Sequence, residues 1–395
     1  MADGKAADQP AARIALVSAS FGYGGDLMYY GEIFRALRER LPGIFVCVDR
    51  RTAYGNPYRL PLAPILSQAL LPRVRHLPNG ATYDASISVV SPLFALRLLR
   101  RKPDVVVVLE FGMAALWGAL VARLRKGARL VLLVEGDPAE RGARGNPIVT
   151  AIKRSVARHA DAIQTNAEAG RYYLTAELGV SDDKITVAPY LTSEPPRPLQ
   201  TEPSEAGESD SHRLRLLFLN SLTERKGLDR LLRALALLEP GELERVRLEI
   251  VGNGPLGEAM QGLAQELGIA ENVRFLGHFG YSELGRYLAN ADVLVVPSLA
   301  DYRSLSSFEG LNYGLALLVS IHDGASRETV HEGETGFTFD PSDPAELAAG
   351  IRGFIADPAL LERCKQGSRA LGSSSYSAAA VADNLARTIA GVLPG

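Results

Sequence analysis

The strongest constraint on this chain is the alternation of short apolar runs with helical segments. In the first half the apolar runs are RIALVSA, IFVCVD, ASISVV, DVVVVLE, RLVLLVE and DAIQTN. In the second half they are LRLLFLN, VRLEIVG, VRFLG, DVLVVPS and LALLVSI. Segments with a helical pattern, such as AALWGALVARLRK and LDRLLRALALLE, separate them. Strand-length apolar runs that alternate with helices predict an α/β fold with parallel sheets covered on both faces.

A Pro-, Ser- and Glu-rich segment, residues 192–213, divides this pattern into two similar halves. Its low apolar content predicts a linker, because it cannot bury a core. We therefore expect an N-terminal Rossmann-like domain (1–191), the linker, a C-terminal Rossmann-like domain (214–372) and a terminal helix (373–395), with the two domains facing a cleft. Open parallel sheets bind ligands beyond the carboxyl ends of their strands, so the functional residues should lie in the loops there.

Charge narrows the class of partner. The 395 residues carry a formal net charge of −2, which argues against a nucleic-acid partner because such proteins usually have a basic excess. Residues 1–190 hold 25 basic and 17 acidic side chains, a net of +8, so the remainder has a net of −10. This asymmetry suggests two domains with different partners, and drift in surface composition is the alternative explanation. Arginine outnumbers lysine, which suits a bacterial genome rich in GC.

Cysteines and hydropathy indicate the compartment. Cys47 and Cys364 are too few for a disulfide framework or a four-ligand zinc site, so we expect reduced thiols and no metal. The N-terminus has no apolar run typical of a signal peptide. The most apolar stretch, 105–124, is interrupted by Glu110 and Gly112, which argues against a membrane-spanning helix. A cytoplasmic protein is expected, with peripheral contact at the inner face of the membrane as an open alternative.

Three glycine-containing or basic loops follow apolar runs. Gly24 and Gly25 lie between the first strand and a helix, where backbone amides can approach an anion. Ser221, Arg225 and Lys226 follow LRLLFLN, and two cations beside a helix N-terminus suit a diphosphate. The third loop, Gly252-Asn253-Gly254, allows close approach of a ligand. The first and third loops are also explained as simple strand–helix turns, and the second, taken alone, favours two solvated charges at a helix start.

A fourth loop, 297–314, carries Asp301, Ser304, Ser306 and Ser307 before a helix that contains Glu309. A lone Glu near a helix N-terminus usually just complements the helix dipole, but Asp301 and Glu309 on one strand–loop–helix unit are more suggestive. The sequence has no Walker phosphate loop, Gly-x-Ser-x-Gly elbow or Asp-x-Asp motif. Phosphate chemistry must therefore rely on helix dipoles and basic side chains.

These residues resemble family 4 retaining glycosyltransferases, which have the GT-B fold. The resemblance is densest over 214–358, in the stretches TERKGLDRLLRAL, LEIVGNGP, NVRFLGHF, ADVLVVPS and GASRETVHEGETGFTFDPSDPAELAAGI. The first half resembles the family more loosely, through its first strand and the Gly24-Gly25 loop. The segment 375–393 resembles the family's last helices, which return to the N-terminal domain.

The resemblance implies a UDP- or GDP-sugar donor held mainly by the C-terminal domain, and a hydroxyl acceptor on the N-terminal domain. Glu309 would bind the ribose hydroxyls, and Asp301 would lie near the donor sugar. Lys226, with Arg225 beside it, would stabilise the leaving diphosphate. Catalytic candidates are thus Asp301, Lys226 and Arg225. The donor-binding candidates are Gly24, Gly25, Ser221, Lys226, Gly252, Asn253, Ser304, Leu305, Ser306 and Glu309.

Four departures from the family pattern bear on this assignment. Ser221 stands where the family usually has Arg, and Asp301 where it has Glu. Residues 302–305 (Tyr-Arg-Ser-Leu) replace a Gly-Phe-Gly-type loop. Glu135 stands where the first domain often has a His, so Glu135, and Glu110 after the preceding strand, are candidates for acceptor binding.

The implied activity is retaining, metal-independent transfer of a hexosyl or N-acetylhexosaminyl group to a hydroxyl of a glycan, lipid-linked sugar or small metabolite. Two alternatives remain. One is a non-catalytic nucleotide-sugar binder or partner subunit, which the replacements at Ser221 and Asp301 favour. The other is an epimerase or phosphorylase on the same architecture, although no clear context for a pyridoxal lysine is present.

Overall fold

A computed structural model describes residues 12–18, 26–51, 56, 58–76, 82–135, 147–198 and 213–393. These residues form two compact units. Of the described residues, those within 12–75, 84–191 and 381–393 make up the first unit, and those within 76–83 and 192–380 make up the second. Gly24 and Gly25 lie outside the described residues.

The first unit is built on a seven-stranded sheet in which every described strand pair is parallel. From edge to edge the strands are β3 (Leu62–Leu66), β2 (Ile44–Asp49), β1 (Ile14–Val17), β6 (Val105–Leu109), β7 (Arg129–Leu133), β8 (Ala162–Thr165) and β9 (Ile185–Val187). The run Val105–Leu109 is buried at every position. A strand buried on both faces needs apolar side chains throughout, which explains its continuous hydrophobicity.

Helices cover this sheet. They are α1 (Asp26–Arg40), α2 (Leu93–Arg100), α3 (Met113–Leu124), α4 (Pro147–His159) and α5 (Glu168–Tyr172), followed by a π-helical turn (Tyr173–Glu177) and a 3₁₀ turn (Asp182–Lys184). In α3, Ala114, Ala115, Gly118, Val121 and Ala122 form the buried face. The small residues let the helix approach the sheet closely, because a Cβ on Gly118 would lie 2.6 Å from Val108 Cγ1.

One predicted strand of the main sheet lies elsewhere. The run ASISVV belongs to β5 (Thr82–Val90), which pairs with β4 (Gln68–His76) in a separate two-stranded sheet. Ser88 Oγ donates to Gln68 Oε1 (2.5 Å), and Val89 is exposed. The prediction that placed this run in the parallel sheet was therefore wrong. Its alternating Ser and apolar residues are typical of a half-exposed strand rather than of a strand buried on both faces.

The second unit has a six-stranded sheet, again with parallel pairs throughout its described residues. The strands in spatial order are β12 (Val273–Gly277), β11 (Val246–Val251), β10 (Leu214–Leu219), β13 (Val293–Val296), β14 (Ala316–Ser320) and β15 (Gly336–Phe339). Chain order reverses between β10 and β13, and such a switch point is where open α/β sheets bind ligands.

The sheet of the second unit separates two apolar clusters. Leu216 and Phe218 of β10 belong to one cluster, whereas Leu217 and Leu219 belong to the other. Successive side chains of a strand point to opposite faces, so this central strand contributes to both cores.

The helices of the second unit are α6 (Leu228–Leu235), α7 (Pro240–Leu243), α8 (Gly257–Glu266), α9 (Leu284–Asn290), α10 (Leu305–Tyr313), α11 (Ser326–Thr329), α12 (Pro344–Ala356) and α13 (Pro358–Leu371). Short turns lie at Glu224–Lys226, Ala270–Asn272, Tyr281–Glu283 and Gly372–Tyr376. The last helix, α14 (Ala378–Ala390), groups with the first unit from residue 381 onward.

Within the described part of the chain, no helix combines the length and the apolar character needed to cross a membrane. The stretch 105–124 is instead divided between strand β6 and helix α3.

Candidate functional site

The first part of the site is the loop after β10, which carries Arg225 and Lys226. Gly227 follows in the left-handed region at φ 68°, and a Cβ there would lie 2.0 Å from the carbonyl oxygen of Pro297. Only glycine fits this conformation and this close approach. Gly227 therefore lets the basic loop lie directly against the chain that follows β13.

Both cations of this loop contact Asp301. Lys226 Nζ donates to Asp301 Oδ2 at 2.5 Å, and Arg225 Nη1 lies 2.9 Å from the same oxygen. Arg225 also donates to the carbonyl oxygen of Ala300 (3.1 Å). The Lys226 side chain is only 9% exposed and that of Asp301 12%, so these charges interact with little screening by water.

The two cations control the ionisation of Asp301. Burial acts to raise the pKa of this carboxyl, but the charges of Lys226 and Arg225 outweigh burial and hold the pKa below its ordinary value. Asp301 is therefore a carboxylate at neutral pH. With two cations on one oxygen, it is suited to orienting hydroxyl groups rather than to accepting a proton.

Glu309 lies in α10 and is buried. Its Oε1 accepts from Ser193 Oγ at 2.6 Å, and the Tyr281 hydroxyl lies 3.1 Å from that Oγ. Burial raises the pKa of Glu309 to about 7, against the opposing effects of the Ser193 hydrogen bond and the charge of Lys226. The charge of Lys226 thus acts to lower the pKa of Glu309 as well as that of Asp301.

Helix α10 begins beside these groups. Ser304 is its N-cap, and the Ser304 amide donates to Asp323 Oδ1 (3.2 Å). Leu305 opens the helix, and Ser306 Oγ accepts from Asn220 Nδ2 (3.2 Å), which ties the helix to the end of β10. The N-terminus of this buried helix has a positive partial charge that suits a phosphate.

The loop after β11 completes this edge of the second unit. Gly252 has φ 150°, and a Cβ there would lie 1.9 Å from the Asn220 carbonyl oxygen. Asn253 accepts from the Leu222 amide through its carbonyl oxygen (2.9 Å). Ser221 is exposed. The structure thus brings the predicted residues of the loops after β10, β11 and β13 to one edge, whereas Gly24 and Gly25 lie outside the described residues.

In the first unit, Glu110 and Glu135 lie at the carboxyl ends of β6 and β7. Glu110 Oε1 accepts from the Glu135 amide (2.7 Å) and from the Tyr190 hydroxyl (3.1 Å). Asn166 Nδ2 is 3.4 Å from Glu135 Oε1. Glu110 has φ 57°, a conformation that a non-glycine residue adopts at a cost. The two predicted acceptor-side residues therefore belong to one hydrogen-bonded group.

Two residues of the site were not found from the sequence. Asp323 follows β14. Burial, together with the charge of Asp301, raises the pKa of Asp323 to about 6. The rule that polar residues follow strand ends, applied to the loop after LALLVSI, identifies it. Ser193 lies in the segment interpreted as a linker, and no local pattern marks it.

Comparison with known proteins identifies the class. A model of the glycosyl transferase 4-like domain matches residues 11–190, and a model of glycosyl transferases group 1 matches residues 200–371. D-inositol 3-phosphate glycosyltransferase 1 of Catenulispora acidiphila is 30% identical over 366 residues, which span 87% of this chain and 85% of that protein.

Solved structures agree on the fold. HepE of Anabaena in complex with UDP has a TM-score of 0.73 at 18% identity, covering 96% of this chain and 100% of that one. Sucrose-phosphate synthase of Thermosynechococcus elongatus has a TM-score of 0.68 at 16% identity, covering 96% of this chain and 99% of that one.

The chain therefore belongs to the family 4 glycosyltransferases and has the GT-B fold, as the sequence predicted. It is an enzyme that transfers sugar from a nucleotide-sugar donor. The alternative of a non-catalytic binder or partner subunit has no support among these relatives.

The buried Glu309 predicts a pH dependence of stability. Folded Glu309 keeps its proton up to about pH 7, whereas a glutamate in the unfolded chain loses it near 4.5, so the folded state becomes progressively less stable relative to the unfolded state as pH rises through this window. Glu309→Gln cannot ionise, so this variant should lack the fall of roughly 3 kcal/mol in the free energy of unfolding. Urea unfolding at a series of pH values measures this free energy.

The matched control is Glu258→Gln, which changes an exposed glutamate of α8 in the same unit. This variant keeps Glu309, so it should still lose stability as pH rises through the same window. Parallel curves for the wild type and Glu309→Gln would contradict the assignment.

Proposed function

We propose that this enzyme transfers a hexosyl or N-acetylhexosaminyl group from a UDP- or GDP-sugar to a hydroxyl acceptor, with retention of anomeric configuration and without a metal ion. The observation that carries the proposal is the contact of Lys226 and Arg225 with one oxygen of Asp301. It supplies two cations for a diphosphate and one carboxylate for sugar hydroxyls at a single point.

In the proposed reaction the bond between the anomeric carbon and the diphosphate oxygen breaks while the acceptor oxygen bonds to the same face of that carbon. Negative charge develops on the diphosphate, and Lys226 and Arg225 stabilise it as they exchange Asp301 for phosphate oxygens. The acceptor's proton passes to the departing phosphate oxygen. Asp301 orients the hydroxyls of the donor sugar and does not attack the anomeric carbon.

The nucleoside is assigned to Glu309 and the surrounding loops. As a carboxylate, Glu309 accepts hydrogen bonds from the two ribose hydroxyls. The amides of Leu305 and Ser306 at the start of α10 bind phosphate or sugar oxygens. The loop of Gly252 and Asn253 lies against the nucleotide. UDP is favoured over GDP as the nucleotide because HepE, which shares this fold, was solved with UDP.

The acceptor is assigned to the first unit, with Glu110 and Glu135 as hydrogen-bond acceptors for its hydroxyl groups. The Tyr190 hydroxyl and the Glu135 amide already hold one oxygen of Glu110. This support fixes the orientation of the carboxylate before the acceptor arrives, which lowers the entropic cost of binding.

The stereochemistry of the product tests the mechanism. With a UDP-sugar or GDP-sugar of α configuration, we expect an α-linked product, identified by the proton coupling at the anomeric carbon in NMR spectra. Transfer should continue at the wild-type rate after the protein is treated with EDTA and the chelator is kept in the assay. A β-linked product would overturn retention, and a rate lost to EDTA and restored by Mg²⁺ or Mn²⁺ would overturn metal independence.

Substitution of Asp301 separates phosphate binding from sugar orientation. Asp301→Asn frees Lys226 and Arg225 for the diphosphate, so UDP should bind roughly tenfold more tightly, about 1.4 kcal/mol. Transfer should fall about 10²-fold because the carboxylate no longer orients the sugar. Calorimetry with UDP and steady-state kinetics measure the two effects.

Two further variants complete this test. Asp301→Glu keeps the charge and should keep the UDP affinity of the wild type. Lys226→Ala removes a phosphate contact, so UDP affinity and transfer should both fall, the latter about 10²–10³-fold. Unchanged transfer in Lys226→Ala would remove this lysine from the mechanism.

We also propose peripheral contact with an anionic membrane through α2 and α3, which contact each other. Leu93 and Leu96 of α2 are 53% and 55% exposed, and Leu124 of α3 is 61% exposed. The exposed basic residues 100–102 form the end of α2 and the two positions after it. Exposed leucines beside basic side chains favour a surface of acidic lipid headgroups.

Vesicle sedimentation tests the membrane contact. We expect binding to vesicles that contain phosphatidylglycerol, weaker binding at high salt, and little binding to phosphatidylcholine alone. The double variant Leu93→Ser with Leu96→Ser should lose binding. Leu237→Ser, at a leucine of the second unit that is 48% exposed, is the matched control and should bind like the wild type. Equal binding by both variants, or no binding by the wild type, would contradict the proposal.

A further inference from the structure

The loop 301–304 connects Asp301 to the N-cap of α10, and a second segment, 322–328, lies against it after β14. Their main chains are joined at two points: the Asp301 amide donates to the His322 carbonyl oxygen (3.1 Å), and the Gly324 amide donates to the Asp301 carbonyl oxygen (3.0 Å). A Cβ at Gly324 would lie 1.9 Å from the Tyr302 carbonyl oxygen, so the approach requires glycine.

Arg303 and Glu328 join the same two segments through their side chains. Arg303 Nε donates to Glu328 Oε1 and Nη2 to Oε2, both at 2.8 Å. The two side chains are 3% and 10% exposed. This two-point contact fixes the orientation of the guanidinium as well as its position. The guanidinium also lies 3.9 Å from the centre of the Phe308 ring in α10.

Asp323 holds the other end of the loop. Its Oδ1 accepts from the amides of Ser304 (3.2 Å) and Ala325 (2.9 Å), so one buried carboxyl oxygen bridges loop and segment. The loop is thus attached at Asp301, at Arg303 and at Ser304. Each attachment is to the segment after β14, and Phe308 adds a contact to α10.

We infer that Arg303, Glu328 and Asp323 are positioning residues that set the place of the Asp301 carboxylate relative to the donor sugar. The inference rests on the proposed function, which assigns Asp301 to that sugar. Aspartate has a single methylene group between backbone and carboxylate, so the position of its oxygens follows the position of its main chain closely. A displacement of about 1 Å at a reacting group can cost about 10²-fold in rate.

The Arg303–Glu328 pair is the part of this arrangement that substitution can probe most cleanly. Arg303→Lys keeps the charge but removes the two-point contact, and Glu328→Gln keeps the shape but removes the charge. For each we expect kcat for sugar transfer to fall about 10²-fold. The Kd for UDP should stay within a factor of about two, because Lys226, Glu309 and the start of α10 remain.

A double-mutant cycle distinguishes positioning by this pair from two independent losses. The variant with both substitutions should have nearly the kcat of either single variant, since one contact is lost in all three. Titration with UDP counts the folded, binding-competent sites, so kcat is expressed per competent site even where a variant is less stable. Arg352→Lys and Glu242→Gln are matched controls at another Arg–Glu contact of the same unit (3.0 Å) and should keep the wild-type kcat.

The outcomes are distinct. A wild-type kcat in Arg303→Lys and Glu328→Gln, or losses that multiply in the double variant, would overturn the positioning role while leaving the proposed function in place. Absence of transfer by the wild type from every UDP- and GDP-sugar would overturn the proposed function and, with it, this inference.

Discussion

The parallel arrangement of strands in the seven-stranded and six-stranded sheets is the constraint on which the rest of the structure depends. Because every described pair in these two sheets is parallel, all carboxyl ends of one sheet lie at one edge, and the polar loops gather there. In the second unit this edge holds Lys226, Gly252 and Asp301. In the first unit the same rule places Glu110 beside Glu135. Polar groups from distant parts of the chain meet at this edge because the interior strands are buried on both faces and carry apolar side chains.

The sequence predicted most of the framework for a physical reason. Strands buried on both faces must be continuously apolar, so β1, β6, β10 and β13 are visible as unbroken runs. The edge strands β3, β9 and β15 were not recognised, since Pro64 interrupts the first and Thr186 and Thr338 interrupt the other two. The run ASISVV has the length of a core strand, but its alternation of Ser with apolar residues is typical of the half-exposed strand β5.

Some residues of the candidate site could be predicted from the sequence and others could not. Lys226, Asp301 and Glu309 were predicted because each lies in a short stretch that resembles the glycosyltransferase family. Ser193 was not, because it acts on Glu309 from 116 residues away, in a segment whose composition resembles a linker. The Arg303–Glu328 pair was missed for a related reason, since nothing in either local sequence names its partner. A contact between residues far apart in the chain produces no periodic pattern in the sequence.

The contact between Asp301 and its two cations has a further consequence. Two positive charges and one negative charge within a few ångströms act at a distance as a single positive charge. A diphosphate approaching from solvent therefore meets a weak field, which salt at physiological strength screens within about 8 Å. Under the proposed function, selection of the donor therefore depends on contacts made after arrival, with the shape of the nucleoside and of the sugar rather than with the charge that all such donors share.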